Sequence, residues 1–491
     1  MATSEWSFAT AAELTAALNA KKVSAVELAQ DAIAQIERHD GKVNAICVRD
    51  FDRALEAARA ADAARGRGET AALLGLPLTI KESFNLAGTP TTWGFVAHKD
   101  FIPAEDALAV ARVKAAGGVI LGKTNVPVGL ADWQSYNPIY GTTNNPFDLS
   151  RSPGGSSGGS SAALAAGYGP LSLGSDIGGS LRTPAAFCGV YAHKPTYALV
   201  PSRGHVPPPF PALPFQRDLA VTGPMARAAA DLALLLDVMA EPDPWDAGVA
   251  FSLALPPPRH DALEAYRVLL LDSHPLLPTA ASIRAALAAL EGNLARAGVT
   301  IARQSELLPD LAATARLYMR MLLAVLSASF PPEVHAGAQA AAAGLDPADQ
   351  SLKAERLRGI ALSHRDWVIA DGGRARLRAQ WRELFTRFDA VICPIMPTPA
   401  FPHDQATEDQ EVRRIAIDGE AHVYVDQLAW PGIATLPGLP ATALPIGLSP
   451  EGLPIGVQIV GPWLEDRTPI RLAELIEREF GGFVAPKGVG G

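Results

Sequence analysis

The sequence predicts an α/β domain in which a mixed, twisted central sheet carries helices on both faces. Short apolar runs separated by Gly-, Pro-, Asn- and Ser-rich loops fill residues 71–228 and return in residues 389–480, which is typical of buried strands joined by loops. Apolar residues at helical spacing fill residues 1–70 and 229–388. The core is therefore split along the chain, with a mainly helical insertion, residues 229–388, covering it.

Each element follows from its local pattern. The N-terminal helices are predicted over residues 11–40 and 51–66, and the second ends at the Arg-Gly-Arg-Gly run 65–68. The runs LLGLPLTIKE, GGVILGKTN and PLSLGSDIGG predict strands in the first half of the core, and AVICPIMPTPAF, PGLPATALPIGL and GVQIVGPWL predict strands in the second. A last amphipathic helix is predicted at 468–480. We expect these elements to form one domain spanning residues 1–491.

Composition excludes several classes of function. Hydrophobic residues make up 48% of the 491 residues and charged residues 19%, which is globular rather than disordered composition. The net charge of -9 leaves no basic field for nucleic acid. Cys47, Cys188 and Cys393 lie far apart without CxxC spacing, so free thiols in a reducing compartment are expected. With no signal-like segment and no run of about 18 apolar residues, the sequence predicts a cytoplasmic protein without a membrane span.

Two motifs compete for a function and are rejected on context. Gly117–Thr124 matches the phosphate-loop pattern GxxxxGK[ST], but its middle positions are strand-like and Asn-Val-Pro follows where a helix should begin. GxSxG occurs centred on Ser156 and again on Ser157, but a loop precedes it rather than a strand. No downstream histidine has a context that marks it as a catalytic partner. A Ser-His-Asp hydrolase is therefore the weaker hydrolase hypothesis.

A third match is much longer. Residues 152–186, SPGGSSGGSSAALAAGYGPLSLGSDIGGSLRTPAA, resemble the amidase signature, and Lys81 closes the short apolar strand where that family carries a lysine. Lys81 and Ser156 are 75 residues apart and Ser156 and Ser180 are 24 apart, as in the family's pattern. The resemblance extends through GKTNVP, NPIYGTTNNPFD, VTGPMAR, CPIMPTPA and GLPIGVQIVG. It implies the amidase-signature fold and an amide hydrolase with a Ser-Ser-Lys triad.

Ser180 is the expected nucleophile. It follows Ile177, Gly178 and Gly179, and glycines allow successive backbone N–H groups to turn toward one point, so residues 177–180 are the candidate oxyanion hole. Asp176 and Arg182 flank this turn. We expect them to fix the loop, through an ion pair with each other or through separate hydrogen bonds to backbone.

The resemblance gives Ser156 the role of proton bridge and Lys81 that of base, and it implies a cis peptide bond before Ser156. To act as a base, Lys81 must be neutral, which requires its pKa to fall by roughly 3 units. Desolvation after an apolar strand suits that shift. Glu82 is adjacent in sequence, but strand alternation directs its side chain to the opposite face.

The resemblance also points to a substrate pocket after GKTNVP. Leu130 lies where related enzymes place an acyl-pocket residue, and Trp133 and Tyr140 are candidate wall residues. The expected reaction is hydrolysis of a small-molecule amide through an acyl-enzyme, possible also for aryl amides, carbamates and esters, without metal or cofactor. We expect a monomer or homodimer. The alternative is the ammonia-generating subunit of a tRNA-dependent amidotransferase, although VGLADWQSYNP looks more like stand-alone amidases.

Overall fold

A computed structural model of the chain describes residues 4–407 and 409–487. The first two helices begin where the sequence supplies complete caps. Thr10 and Ser24 each accept a hydrogen bond from the backbone N–H of the glutamate three residues on, and that glutamate bonds back to the cap residue. Such reciprocal bonds satisfy backbone N–H groups that a helix start leaves without partners.

The helices are α1 (Ala11–Asn19), α2 (Ala25–Val43), α3 (Phe51–Gly66), α4 (Leu108–Ala115), α5 (Gly158–Ala165), α6 (Arg182–Cys188), α7 (Ala229–Met239), α8 (Ala281–Arg296), α9 (Leu311–Leu326), α10 (Pro332–Ala343), α11 (Leu352–Ile360), α12 (His364–Arg387), α13 (Ala429–Thr435) and α14 (Arg467–Phe480). The strands are β1 (Ile46–Arg49), β2 (Pro77–Lys81), β3 (Val119–Thr124), β4 (Tyr136–Asn137), β5 (Gly141–Thr142), β6 (Leu171–Asp176), β7 (Tyr191–Lys194), β8 (Val221–Ala226), β9 (Arg267–Leu270), β10 (Thr300–Ala302), β11 (Ala390–Pro394), β12 (Arg414–Ile417), β13 (Glu420–Val423), β14 (Ala441–Leu448) and β15 (Pro454–Val460).

Eleven of the strands in the described residues form one mixed sheet, in the order β1-β3-β2-β6-β8-β7-β14-β15-β11-β9-β10. Strands β3, β2 and β6 are parallel to one another, as are β11, β9 and β10. The other neighbouring pairs in this sheet are antiparallel. The predicted mixed α/β sheet is confirmed, and its two halves meet where β7 pairs with β14.

Helices cover both faces of this sheet. In β9, Val268 and Leu270 belong to one hydrophobic cluster and Leu269 to another, and successive strand side chains point to opposite faces. The first cluster contains buried residues of helices including α1, α2, α3, α7 and α14. The second contains buried residues of α9, α11, α12 and α13. The core therefore has two layers, one on each side of the sheet.

The insertion 229–388 contributes strands as well as helices. Strands β9 and β10 lie within it, and β9 pairs in parallel with β11 from the second half of the core. The sequence Arg-Val-Leu-Leu of β9 is too short for its periodicity to distinguish a strand from a helix. The insertion thus extends the sheet edge that it covers.

One helical segment within the described residues, Leu311–Ser329, is long and apolar enough to cross a membrane by length and composition alone. From the sequence alone no membrane span is predicted. Tyr318, Met319 and Leu322 on this segment are buried in the second hydrophobic cluster. A single helix of this kind is weak evidence for a membrane span, because core helices of soluble proteins pass the same test.

Candidate active site

The site forms at one edge of the sheet, where two parallel strands end. Strands β2 and β6 pair in parallel, with Leu78 opposite Leu171 and Ile80 opposite Leu173. Because parallel strands end at the same edge, Lys81 at the end of β2 comes close to Ser175 and Asp176 at the end of β6. The Gly155–Ser156 peptide bond, which precedes α5, is cis.

Lys81 is fully buried, and three hydroxyl groups surround its amine. Its Nζ lies 2.7 Å from Ser156 Oγ, 3.0 Å from Ser157 Oγ and 2.9 Å from Ser175 Oγ. Burial lowers the pKa of Lys81 well below its usual value, and Asp176 opposes that shift only in part. A neutral amine has two N–H donors and one lone pair, so one of the three hydroxyls must donate its proton to Nζ. In its neutral form Lys81 therefore accepts a hydrogen bond from one of these serines.

The turn at residues 177–180 follows β6 directly. Ser180 is 6% exposed, and its carbonyl oxygen accepts a hydrogen bond from the N–H of Ser157, 3.2 Å away. Within the described residues, the N–H groups of Ile177, Gly178 and Ser180 have no hydrogen-bond acceptor. Three backbone donors therefore remain available beside the Ser180 side chain, as stabilisation of an oxyanion requires.

The N–H of Gly179 differs from its neighbours, because it donates to Asp176 Oδ1 at 2.8 Å. Of the four residues expected to form the oxyanion hole, Gly179 is thus the one whose N–H is already occupied. A side chain is excluded at this position, since Gly179 has a φ of +92° and a Cβ there would come within 2.8 Å of Thr183 Oγ1. Gly179 shapes the turn, and its neighbours offer the free donors.

Asp176 and Arg182 are both fully buried and form a bidentate pair, with each contact at 3.0 Å. Asp176 also accepts the N–H groups of Gly179 and Leu181, so it makes both kinds of contact expected from the sequence. The Arg182 guanidinium holds the pKa of Asp176 below its usual value against the effect of burial, which is the largest influence on it. The Arg182 guanidinium also donates a hydrogen bond to Gln458 Oε1 at 2.6 Å, and this bond connects the turn to β15.

Comparisons with known proteins identify the family of the chain. The family model for amidases matches residues 27–469. The chain belongs to the amidase signature family. Its members act on carbon–nitrogen bonds, so this protein is an enzyme of the linear-amide hydrolase type.

Among curated amidase relatives, a glutamyl-tRNA(Gln) amidotransferase subunit of Anaeromyxobacter sp. (strain K) is 34% identical, covering 96% of each chain. The corresponding protein from Thermus thermophilus is 35% identical over 95% of this chain and 96% of its own. A solved amidase structure is 28% identical with a TM-score of 0.75, over 96% of this chain and 99% of that one. A bacterial aryl acylamidase, 23% identical with a TM-score of 0.79 over 99% of each chain, shares the fold.

These relatives correct one expectation. We expected a stand-alone monomer or homodimer, and that prediction is wrong on this comparison. The curated relatives that match this amidase over nearly their whole length are named as subunits of an amidotransferase. The local sequence VGLADWQSYNP had favoured the stand-alone enzymes, but it covers only a small part of a chain that aligns end to end with the subunits.

The candidate pocket residues of the amidase are spread over different surroundings. Trp133 is buried, and its indole N–H donates to the Gly178 carbonyl at 2.9 Å, so it lies against the oxyanion turn. Leu130 is half-buried at the end of a short 3₁₀ turn, with a φ of +62°. Its place in an acyl pocket stays a prediction.

Tyr140 lies beside Glu82 and Cys47, on the other side of the strand from the Lys81 amine. Burial, followed by the charge of Glu82, raises the pKa of Tyr140. As alternation predicts, Glu82 points away from Lys81, and its carboxylate accepts the N–H groups of Thr92 and Trp93. The structure therefore gives Tyr140 a place in this second polar cluster, and among the described residues it has no hydrogen bond to the serines around Lys81.

The best-connected buried histidine of the amidase, His193, has partners outside the serine site. His193 forms a buried pair with Asp466 at 3.0 Å, and its other ring nitrogen meets Thr442 Oγ1 at 2.9 Å. Burial lowers the pKa of His193. In the described part of the chain no histidine is hydrogen-bonded to Ser156 or Ser157, so the GxSxG motif has no imidazole base.

Three side chains that contact the site were not predicted from the sequence: Ser157, Ser175 and Tyr318. No role in the site was predicted for Ser157 or Ser175, although both contact Lys81. Tyr318 of α9 donates to the Ile177 carbonyl at 2.6 Å. The signature contained a signal for the two serines, since both lie in its Gly-Ser segments. Nothing in the local sequence of α9 marks Tyr318.

Proposed function

We propose that this amidase cleaves amides through an acyl-enzyme on Ser180, with Ser156 as proton bridge and Lys81 as base. The observation that carries the proposal is the buried Lys81 amine among three hydroxyls, with Ser156 the nearest at 2.7 Å. Lys81 contacts no carboxylate in the described residues, so desolvation keeps its lone pair available.

In the proposed acylation step, Ser180 Oγ attacks the amide carbon and its proton passes to Ser156, whose own proton passes to Lys81. The carbonyl oxygen becomes an oxyanion facing the free N–H groups of residues 177, 178 and 180. Lys81 then returns a proton through Ser156 to the departing nitrogen, and the C–N bond breaks. Water completes the cycle by the same relay and releases the acid from Ser180.

For the substrate, we propose the side-chain amide of glutamine, with the ammonia passing to a partner protein. The support is the 34–35% identity to amidotransferase subunits over nearly the whole chain. Three cysteines as free thiols support the proposed cytoplasmic location for such an assembly.

An ion-pair cluster supports the segment that packs on the oxyanion turn. Arg356 is buried and contacts Asp426 at 2.7 Å and Glu411 at 2.5 Å. Asp426 lies in the turn Val425–Leu428, and Leu428 packs so closely on Gly178 that a Cβ there would come within 2.9 Å. These pairs occupy the whole Arg356 guanidinium, so the cluster holds the turn Val425–Leu428 in place and presents no free guanidinium to a substrate carboxylate.

The second candidate substrate is an uncharged amide, carbamate or ester. The side chains against the turn are mostly apolar, including Leu428, which packs on Gly178, and Pro431, which packs on Gly179. The 28% identical amidase structure also supports this candidate.

A substrate panel with one matched pair of variants tests the proposal. Ammonia release from glutamine is compared with hydrolysis of an aliphatic amide, an anilide, a carbamate and an ester, for wild type, Ser180→Ala and Ser161→Ala. We expect glutamine to be the best substrate, Ser180→Ala to have lost at least about 10³-fold, and Ser161→Ala to match wild type. The Ser161 hydroxyl is buried without a partner among the described residues, so it serves as the control.

Two outcomes would contradict different parts of the proposal. Retained activity in Ser180→Ala removes the nucleophile assignment. Turnover of an anilide or ester with none of glutamine removes the glutaminase assignment and leaves the amidase mechanism in place.

A further inference from the structure

Four consecutive backbone carbonyls of the oxyanion turn each accept a hydrogen bond that restrains the turn. The carbonyl of Ile177 accepts from Tyr318 Oη at 2.6 Å and that of Gly178 from Trp133 Nε1 at 2.9 Å. The carbonyl of Gly179 accepts from the N–H of Thr183 at 2.7 Å, and that of Ser180 from the N–H of Ser157 at 3.2 Å. Every peptide plane of the turn is thus fixed through its oxygen.

Fixing a carbonyl also fixes the N–H that follows it. A trans peptide is planar, and its N–H points opposite to its C=O. The Tyr318 hydroxyl therefore sets the direction of the Gly178 N–H, which is one of the free donors of the turn. The Gly178–Gly179 peptide is held at both ends, by Trp133 on its oxygen and by Asp176 on its N–H.

The two glycines of the turn make these hydrogen bonds necessary. Without a Cβ, Gly178 and Gly179 have wide conformational freedom, and a peptide between two glycines rotates easily. An oxyanion hole is effective because its donors already point at the developing charge. Side chains that restrain the turn therefore contribute to the rate without touching the substrate.

Both restraining side chains are themselves held rigidly. Tyr318 is fully buried, and its ring packs so tightly on α13 that a Cβ at Gly432 would lie 2.4 Å from it. Trp133 packs edge-on against Tyr424, with ring centres 5.1 Å apart. The Tyr424 hydroxyl donates to Asp132 at 2.7 Å, and this bond fixes the segment that carries Trp133.

We propose that Tyr318 and Trp133 are positioning residues for amide hydrolysis: Tyr318 orients the free N–H of Gly178, and Trp133 fixes the adjoining Gly178–Gly179 peptide. The inference rests on the proposed function, since it assumes that the turn receives the oxyanion. Tyr318 belongs to α9, so the insertion 229–388 takes part in the chemistry of the site as well as covering it. Its hydroxyl is the only restraint on the Ile177–Gly178 peptide among the described residues.

Tyr318→Phe tests this directly, because it removes one oxygen atom and keeps the ring. We expect kcat to fall about tenfold with KM nearly unchanged, a smaller loss than the 10²–10³ caused by deleting a donor outright. The rate at which a fluorophosphonate probe labels Ser180 should fall by a similar factor, because its phosphoryl oxygen occupies the same hole. The pH dependence should not move, since Lys81 is untouched.

Tyr266→Phe is the matched control. Tyr266 is also buried and donates to a backbone carbonyl, that of His260 at 3.0 Å, outside the site. It should lose stability to a similar degree and keep wild-type kcat and labelling rate. Trp133→Phe provides the second variant and should lower the labelling rate in the same direction.

The outcomes separate this inference from the proposed function. If wild type is active and labelled at Ser180 while Tyr318→Phe has unchanged kcat and labelling rate, the positioning role is wrong and the nucleophile assignment stands. A rise in KM alone, or a loss equal to that of Tyr266→Phe, would also overturn it. If wild type is neither active nor labelled, the proposed function itself fails.

Discussion

Two buried lysines lie at or next to the ends of neighbouring strands in the same sheet, and they have different partners. Lys81 ends β2 and Lys123 lies one residue before the end of β3, and in the register of the two strands Ile80 lies opposite Lys123. Lys81 meets three hydroxyls, whereas Lys123 donates to the Pro90 carbonyl at 2.5 Å and to Thr91 Oγ1 at 2.6 Å. A carbonyl can only accept, so Lys123 must remain a donor there.

Charge separates the two lysines further. Burial lowers the pKa of Lys123 only to about 8, because the carboxylate of Glu82 opposes it. The carboxylate near Lys81 is Asp176, which is committed to Arg182 and to two backbone N–H groups. Both lysines are buried, but only Lys81 is surrounded by hydroxyl groups that can donate a proton to it. This difference supports the proposal that Lys81, and not Lys123, is the base. The phosphate-loop match around Lys123 is explained by the same comparison, since Gly117–Thr124 leads into a buried strand.

The largest expected effect is a difference in activity between variants of the two lysines. Lys81→Ala should lower kcat about 10³-fold, within the range for loss of a general base. Lys123→Met should change kcat by less than about threefold per folded enzyme and lower the melting temperature instead. Steady-state kinetics with a thermal unfolding curve for each variant checks both. Equal losses of activity in the two variants would show that the partners do not distinguish them.

A smaller effect tests the hydroxyl partners of Lys81. Ser157→Ala removes one contact of its amine, and we expect a loss of about tenfold, as for a weakened acid–base catalyst. The wild-type rate should rise with pH through an ionisation well below 10.5, and in Ser157→Ala that ionisation should move lower, because the charged amine loses a hydrogen bond.

Ser160→Ala is the control for that measurement. Ser160 lies in α5 near Ser157, but its hydroxyl meets Thr124 Oγ1 at 2.7 Å and not Lys81. Its pH–rate profile should coincide with that of wild type. A shift of the same size in Ser160→Ala would mean that the change reflects α5 as a whole.

The smallest effect concerns stability at alkaline pH. With a pKa of about 8 folded and 10.5 unfolded, Lys123 binds fewer protons in the native state between those values, so the free energy of unfolding rises with pH there. The slope is at most about 1.4 kcal/mol per pH unit. Urea unfolding of wild type and Lys123→Met from pH 8 to 10 should give a growing difference in favour of wild type. A constant difference would refute the shifted ionisation.

Some elements could be predicted locally and others could not. The final helix was predicted at 468–480, and the structure places it at Arg467–Phe480. The prediction succeeds because apolar residues recur at helical spacing along the whole segment, and a strand would need a different spacing. Strand β9 was missed inside a stretch expected to be helical, because its four residues are fixed by pairing with β11, more than a hundred residues away. Tyr140 was expected in the wall of the substrate pocket because it lies in the NPIYGTTNNPFD segment. In the structure Tyr140 lies beside Glu82, and that proximity could not be predicted from the local sequence of either residue.

The sequence by itself determined the kind of chemistry. The resemblance of residues 152–186 to the amidase signature, with Lys81 upstream, predicted an amide hydrolase, and the family match confirms that class. Only the tertiary structure decided which hydroxyls reach Lys81 and which N–H groups of the turn stay free. Those choices depend on residues from three separate parts of the chain: Trp133, the adjacent Ser175 and Asp176, and Tyr318. Hydrogen bonds act over about 3 Å, so folding must bring these groups together before the site exists.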